Sequence, residues 1–430
     1  MITGLSWKNI WRNKVRSLIV MGAMAFGIFG GLFSTAVYKG MSDRRMKEAL
    51  TKETSHIQIH DRRFMENPEV GLTLADPQGI VTFAEGLPGV KAAASRLKIV
   101  TMINSPAASS GVTVTGIDPE REKRVSELYT AVYDSMSLAK RLKLTDPEVI
   151  GTYLRDSTGS WFGSMHRNPI VIGEKLARKL KVKVNSRVVL TFQAADGNLT
   201  GGSFRVCGIY RMDNKAFEEI NVFVRQADLA PLAALRAEAA HEVAIFMEDP
   251  DLSGEVTAAL ADRYPDLEVT GWKNLLPDLA MINDQVVLLS IIMIIIIMAA
   301  LGFGIVNTML MVVLERVKEF GMLIAVGMSR RRVFNMIILE SVLLCLTGAS
   351  AGMAVGAVVI GIFGRKGIDL TAYAQQGLEA MGFSAVMYPS LTWDFYLMVG
   401  ALVIMTGLLA SVYPAWKALK LNPADALRTE

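Results

Sequence analysis

From Val286 to Val313 the chain is almost uninterrupted isoleucine, leucine, methionine, valine and alanine, and a second apolar run, richer in small residues, extends from Met336 to Phe363. An α-helix rises about 1.5 Å per residue and needs roughly 20 apolar residues to cross hydrocarbon, so each run is long enough to span a membrane. Ser17 to Tyr38 is a third such run. Trp393 to Tyr413 is a fourth, opened by Trp393 and Tyr396, aromatics of the kind that sit at a membrane interface. The predicted spans are residues 17–38, 283–313, 335–363 and 393–413. Their ionisable residues, Asp284, Glu340 and Asp394, are placed near the edges, which gives little support to a proton or ion relay through the bilayer.

Basic residues orient these spans. Lys8, Arg12, Lys14 and Arg16 precede the first one and hold the N-terminus in the cytoplasm. The arrangement imitates a signal peptide, but the apolar run is too long for one and the small-residue cleavage pattern is missing, so a retained helix is expected. Residues 1–16 read as a cytoplasmic amphipathic lead-in, with Trp7 and Trp11 at headgroup level. Residues 39–279 then lie outside the cytoplasm. Residues 314–334 carry Arg316, Lys318, Arg330, Arg331 and Arg332 against Glu315 and Glu319, which returns this segment to the cytoplasm. Gly321 and Gly327 permit a break in it, and Met322, Leu323, Ile324, Val326 and Met328 offer an apolar face. The mixed charge favours a protein groove over an anionic lipid surface. Residues 364–392 read as an external loop, with Arg365 and Lys366 a minor exception to the charge bias. Pro414 is expected to end the last helix, leaving a cytoplasmic tail, residues 414–430, marked by Lys417, Lys420 and Arg428.

With 51% hydrophobic residues and a mean hydropathy of +0.34, the chain is too apolar for an ordinary soluble enzyme. Its 20% charged residues are too many for one wholly embedded in lipid. The fold class is therefore a membrane protein with four transmembrane helices and a large α/β domain, residues 39–279, between the first and second. Period-two alternation predicts strands at His56–His60, Thr113–Thr115 and Ile170–Ile172. Gly173–Val184 reads as a helix with Leu176, Ala177, Leu180 and Val184 on one side. Val188–Phe192 and Phe204–Tyr210 bracket Asp196-Gly197-Asn198 and Gly201-Gly202, a hairpin pattern. Ala227–Ala239 and Leu252–Tyr264 read as helices, followed by a strand at Leu267–Thr270. The domain is large enough for two subdomains.

Several chemistries are excluded or unsupported. The net charge of +4 is spread out, with no basic run interleaved with aromatics, which argues against nucleic acid. No Gly-rich loop ending in Gly-Lys-Ser/Thr occurs, so this chain does not bind ATP by a P-loop. His56 and His60 share a strand face with Gln58, a solvated face rather than a metal site, since zinc recruits more ligands. Cys207 falls in the globular part and Cys345 in an apolar helix, so they form no disulfide framework, and Cys207 is expected to be buried and inert. No catalytic triad, metal site or cofactor site is identified. Energy for any transport must come from elsewhere.

The motifs as a set carry a resemblance. SWKNIWRNKVRSLIV, VIGEKLARKLKVKVNSRVVLTFQ with FRVCGIYRMDN, ERVKEFGMLIAVGMSRRRVFNMIILES and YPAWKALKLNPADALRTE together resemble the permease subunits of MacB/LolC/LolE/FtsX-like ABC transporters over the whole length. Asn185-Ser186 stands where that family often has Gly-Asp, a departure a turn tolerates. The resemblance implies a MacB-like periplasmic core in residues 39–279, an inner-membrane location, and a cytoplasmic coupling helix at 314–334. The residues implied in ATPase coupling are Glu315, Arg316, Glu319, Phe320 and Gly321, then Ala325, Gly327, Ser329, Arg330 and Arg331. It further implies that ATP and magnesium sit on a separate LolD-like ATPase subunit, that a second copy or a related permease chain completes the complex, and that a periplasmic carrier or adaptor takes part alongside membrane lipids. The motion of the ATPase would pass to the periplasmic domains by mechanotransmission. Three roles stay open: lipoprotein release, MacB-like efflux, and an FtsX-like scaffold that activates a cell-wall hydrolase.

Two further groups complete the expectations. Gly22, Gly27, Gly30 and Gly31 give the first span a small-residue face suited to close helix packing. Met281, Val286, Leu289, Ile291 and Met293 offer flexible or branched apolar side chains on the second, suited to a cavity that takes acyl chains at the outer leaflet.

Overall fold

The computed structural model describes residues 2–132, 159–162, 167–380 and 382–419. They belong to two compact units, one of Met1–Asp43, Met281–Leu370 and Val386–Glu430, the other of Arg44–Ala280 and Thr371–Ala385. Helix α1 (Ile2–Arg12) is followed by α2 (Lys14–Glu48), which widens into a π-helical turn, Ala49–Thr54, before β1. There α3 (Pro77–Glu85), α4 (Pro119–Val125), α5 (Glu174–Leu180) and α6 (Ser253–Arg263) accompany nine strands. The chain continues into α7 (Pro277–Glu315), a short helix α8 (Val317–Ala325), α9 (Arg330–Lys366), α10 (Thr371–Ala380) and α11 (Trp393–Leu419). Among the described residues four helices, α2, α7, α9 and α11, are long and apolar enough to cross a membrane.

The strands are β1 (Ile57–Asp61), β2 (Val90–Asn104), β3 (Ser109–Ile117), β4 (Pro169–Gly173), β5 (Arg187–Gln193), β6 (Leu199–Tyr210), β7 (Asn221–Arg225), β8 (Glu242–Met247) and β9 (Leu267–Gly271). Their order is β3-β7-β4-β6-β5-β2-β8-β1-β9, and an added β3–β2 pairing closes the first part into a ring. Strand β2 serves both parts: Val90–Arg96 pairs with β8, whereas Leu97–Asn104 pairs with β3. Two cores result. Leu97, Ile99, Val114, Ile172, Phe204 and Val224 fill the ring with Leu176 and Leu180 of α5. Ile57, Ile59, Val243 and Ile245 form the other with Ile80 of α3 and Leu260 of α6. Both cores are strung on one long strand within a single compact unit.

At the changeover sits Arg96, buried, donating to Glu122 of α4 at 2.6 and 3.2 Å and to Glu242 of β8 at 2.9 Å. Lys98 also pairs with Glu242, and His60 Nε2 lies 3.2 Å from it. Burial opposes the charge on Glu242, but Lys98, His60 and Arg96 overcome that and hold its carboxyl well below the usual range.

Several expectations are corrected. The first helix continues past Tyr38 to Glu48, because hydropathy marks only its apolar part and the polar helix formers beyond it carry on the ladder. Likewise α7 begins at Pro277, a favoured first position, ahead of the predicted 283. Pro414 does not end α11, which runs on to Leu419 with Pro414 buried inside it. Residues 364–392 contain α10 and a two-residue strand pair, Ile368–Asp369 with Val386–Met387, rather than a plain loop. The α5 helix stops at Leu180 because Lys181 takes the left-handed conformation, φ 53°, leaving Val184 outside it. Within 227–239 only the turn Gln226–Leu229 is helical. His56 and His60 are buried, not solvated, because β1 lies between β8 and β9 with both faces covered. Lys420 and Arg428, with the tail beyond Leu419, lie outside the described residues.

Candidate functional site: the hinge between α7 and α9

The segment between the second and third spans folds as a short amphipathic helix between two breaks. The chain leaves α7 at Arg316, whose φ of −102° and ψ of 15° are not helical, and leaves α8 at Gly327, whose φ of +104° strongly favours glycine. Gly321 is buried inside α8 and breaks nothing. Phe320 is buried beside it, with the Arg316 guanidinium 5.1 Å from its ring centroid. These inward residues leave an exposed face of Lys318, Met322, Ala325 and Val326, followed beyond the break by exposed Ser329 and by Arg330 and Arg331 at the start of α9. Val326 is the most prominent, 88% exposed.

The acidic and basic residues nearest the membrane do not share that face. Arg16 of α2 forks onto Glu315 through Nη1 and Nη2, at 2.6 and 2.7 Å. Arg12 of α1 donates to Glu319 Oε1 at 2.6 Å, and Arg316 reaches the other oxygen of Glu319 at 2.9 Å. Arg316 also donates to both oxygens of Glu340 in α9, at 3.1 and 3.2 Å. The hydrogen bond from Arg12 holds the Glu319 carboxyl below its ordinary range. Of the residues implied in ATPase coupling, the structure therefore brings Ala325, Gly327, Ser329, Arg330 and Arg331 to the surface, leaves Glu315 exposed but paired with Arg16, and turns Arg316, Glu319, Phe320 and Gly321 toward their own chain. Arg12, Arg16, Asn9 and Glu340 were not among the sequence-derived site residues. A cavity of about 250 Å³ opens among Asn9, Arg12, Arg16, Glu315, Arg316 and Glu340.

Helix packing divides the predicted glycines. A Cβ on Gly31 would come within 2.8 Å of Ile297 Cδ1 of α7, and one on Gly27 would meet Leu301 at 3.5 Å. Gly22 and Gly30 have nothing within 4 Å, so they pack against no neighbour. Closer approaches come from α9: a Cβ on Gly352 would lie 2.5 Å from the Ala25 carbonyl oxygen, and one on Gly348 would lie 3.0 Å from that of Met21. The repeat Gly348, Gly352, Gly356 is the small-residue stripe on which α2 lies. Met281, Leu289, Ile291 and Met293 are exposed on α7, and Val286 is half-buried.

Four long apolar helices, an α/β insertion after the first and an amphipathic hinge helix between the second and third define a membrane permease with a large extramembrane domain. The MacB-like periplasmic core domain profile matches residues 17–263, and the FtsX-like permease C-terminal profile matches residues 291–423. The chain belongs to the MacB/LolC/FtsX-like family of ABC transporter permeases, and its α/β domain is periplasmic. It is 22% identical to the lipoprotein-releasing system transmembrane protein LolC of Xylella fastidiosa, over 97% of this chain and 96% of that one. It is 24% identical to the pyoverdine export ATP-binding/permease protein PvdT of Pseudomonas fluorescens, over 99% of this chain and 59% of that one. It is 32% identical to the macrolide export ATP-binding/permease protein MacB of Syntrophobacter fumaroxidans, over 30% of this chain and 16% of that one. The chain thus spans less than two thirds of the length of either export protein.

Proposed function

We propose that this chain is the permease subunit of an inner-membrane ABC transporter that extracts lipoproteins and passes them to a periplasmic carrier. A separate LolD-like ATPase, carrying ATP and magnesium, docks on the exposed face of α8, and its closure is relayed through the spans to the periplasmic domain. The observation that carries the docking is the face itself, Lys318, Met322 and Val326, presented on a short helix joined directly to two spans. The cargo reading is supported by the near end-to-end alignment with LolC. Alignment of almost the whole chain with PvdT keeps efflux as the second reading.

In this reading a second copy, or a related chain, faces α7 and closes a cavity around Met281, Leu289, Ile291 and Met293, whose exposure leaves them available to acyl chains. A charge there costs a few kcal/mol against hydrocarbon, so Leu289→Asp is expected to block extraction while the complex assembles. The deciding experiment purifies the full chain with its native ATPase, identifies bound cargo by mass spectrometry and measures ATP-dependent release. Enrichment of lipoproteins supports the reading, and their absence alongside transport of small amphiphiles replaces it with efflux.

A further inference from the structure

Helix α8 is joined by the chain to α7 and α9, but not to α2, the span that leads into β1. Four side chains supply that link. Arg12 and Arg16 lie one turn apart where α1 meets α2, and Glu315 and Glu319 lie one turn apart where α7 meets α8. They meet in reverse order, Arg12 with Glu319 and Arg16 with Glu315. The two-pronged contact of Arg16 fixes orientation as well as distance. Across the bend between α1 and α2, Ser17 Oγ donates to the Ile10 carbonyl at 2.6 Å, so the end of α1 is fastened to the start of α2. On its other side α1 is seated on α9 by buried Ser6 and Ile10 and by Asn9, whose Nδ2 donates to Glu340.

Stability does not account for the arrangement. The Arg12–Glu319 side chains are 55% and 38% exposed and the Arg16–Glu315 side chains 25% and 47%, and ion pairs open to solvent add little to folding. Ser6 and Ile10 already hold α1 against α9. What the ion pairs add is a link from α8 to α1, by Glu319 and Arg12, and a second from the end of α7 to the start of α2, by Glu315 and Arg16.

The geometry points to the junction of α1 and α2 as a transmission arm: displacement of the hinge is delivered to the first span through Glu319 of α8 onto Arg12 of α1 and through Glu315 at the end of α7 onto Arg16 at the start of α2, so that span moves in step with the second and third. Arg12 and Arg16 are positioning residues that touch neither nucleotide nor cargo. The inference rests on the reading that an ATPase docks on α8, but it is independent of what is transported. Without the arm, a push on α8 reaches α2 only through side-chain packing along the membrane. With it, the force enters α2 at its cytoplasmic end.

The test places spin labels at Tyr38→Cys and Trp393→Cys, both exposed, in full-length chain purified with its native ATPase in lipid nanodiscs. Distances are measured without nucleotide and after trapping with ATP and vanadate. The expected result is a distance shift in the unmodified background, its loss in Arg16→Glu with ATPase still bound, and its return in the charge swap Arg16→Glu/Glu315→Arg. Restoration by the swap is an outcome that a merely destabilising effect would not give. Absence of a shift in the unmodified background, or an undiminished shift in Arg16→Glu, overturns the inference. So does a swap that assembles with the ATPase but stays immobile. Failure of the cargo reading would appear only in the release assay, while failure of ATPase docking would appear as lost co-purification in every background.

Discussion

Arg96 of β2 and Glu122 of α4 meet through two hydrogen bonds inside the periplasmic domain, with their side chains 4% and 2% exposed. The same guanidinium satisfies Glu242 on β8. Removing it takes from buried Glu122 the cation it pairs with and leaves Glu242 to Lys98 and His60. Arg96→Met is therefore expected to destabilise the protein by about 3–5 kcal/mol, the scale for breaking a buried pair from one side. Chemical denaturation of the purified full-length protein measures this. A loss no larger than that of an exposed pair, about 1 kcal/mol or less, would show that the cluster is not what joins the two cores.

His56 packs edge-on against Phe246, ring centroids 4.7 Å apart, and its Nδ1 accepts from the Met247 amide. Burial pushes its pKa from 6.5 down to about 4, and His241 shifts in the same direction, chiefly from burial. The unfolded chain therefore takes up protons at a pH where the folded one does not. Stability from this source is complete above pH 6.5 and is lost as pH falls from 6.5 towards 4. The melting temperature of the full-length protein should decline through that window, and less steeply in His56→Phe. An identical slope in the variant would remove His56 from the account.

Gly352 and Gly30 make a controlled comparison within the membrane unit. Gly352→Ala places a methyl group 2.5 Å from a backbone oxygen of α2, whereas Gly30→Ala meets nothing within 4 Å. The first is expected to cost about 1–3 kcal/mol, as overpacking does, and the second less than about 0.5 kcal/mol. Thermal stability in detergent separates them. Equal effects would mean that the stripe on α9 is not the contact.

Asn198 is exposed in the turn between β5 and β6, while Cys207 and Cys345 are both buried. Burial also pushes the Cys207 thiol up to about 11, which keeps it unreactive at neutral pH. Asn198→Cys should accordingly react with a membrane-impermeant maleimide in cells with a permeabilised outer membrane. Labelling that appears only after lysis would reverse the topology.

What the sequence made legible follows from range. The spans stand out because each is local and strongly apolar, and strands such as β1 and β5 because sequence alternation is local too. The long strand β2 was missed because residues 90–104 change partner midway and are buried on both faces over Ala92–Leu97, which erases the alternation. In the hinge, the amphipathic face was readable but its charged residues were assigned outward. The clue was present as two basic residues and two acidic residues, each pair one turn apart, but nothing local says that position 16 meets position 315. The same limit hid the α9 stripe: Gly348, Gly352 and Gly356 are a visible repeat whose partner, α2, lies far away in the sequence.

The pairing of β1 with β9 carries one more consequence. The first span runs into β1 through its π-turn and the second begins soon after β9, and these strands are hydrogen-bonded neighbours, with Ile57 opposite Gly271 and the Trp272 amide donating to the His56 carbonyl at 2.8 Å. A slip of one residue between them would be about 3.3 Å and would exchange the faces on which Ile57 and Ile59 or Gln58 and His60 are buried. The strand by which the chain enters the α/β unit and the strand by which it leaves are thus locked in register with each other, and neither can slide along the other without tearing the sheet.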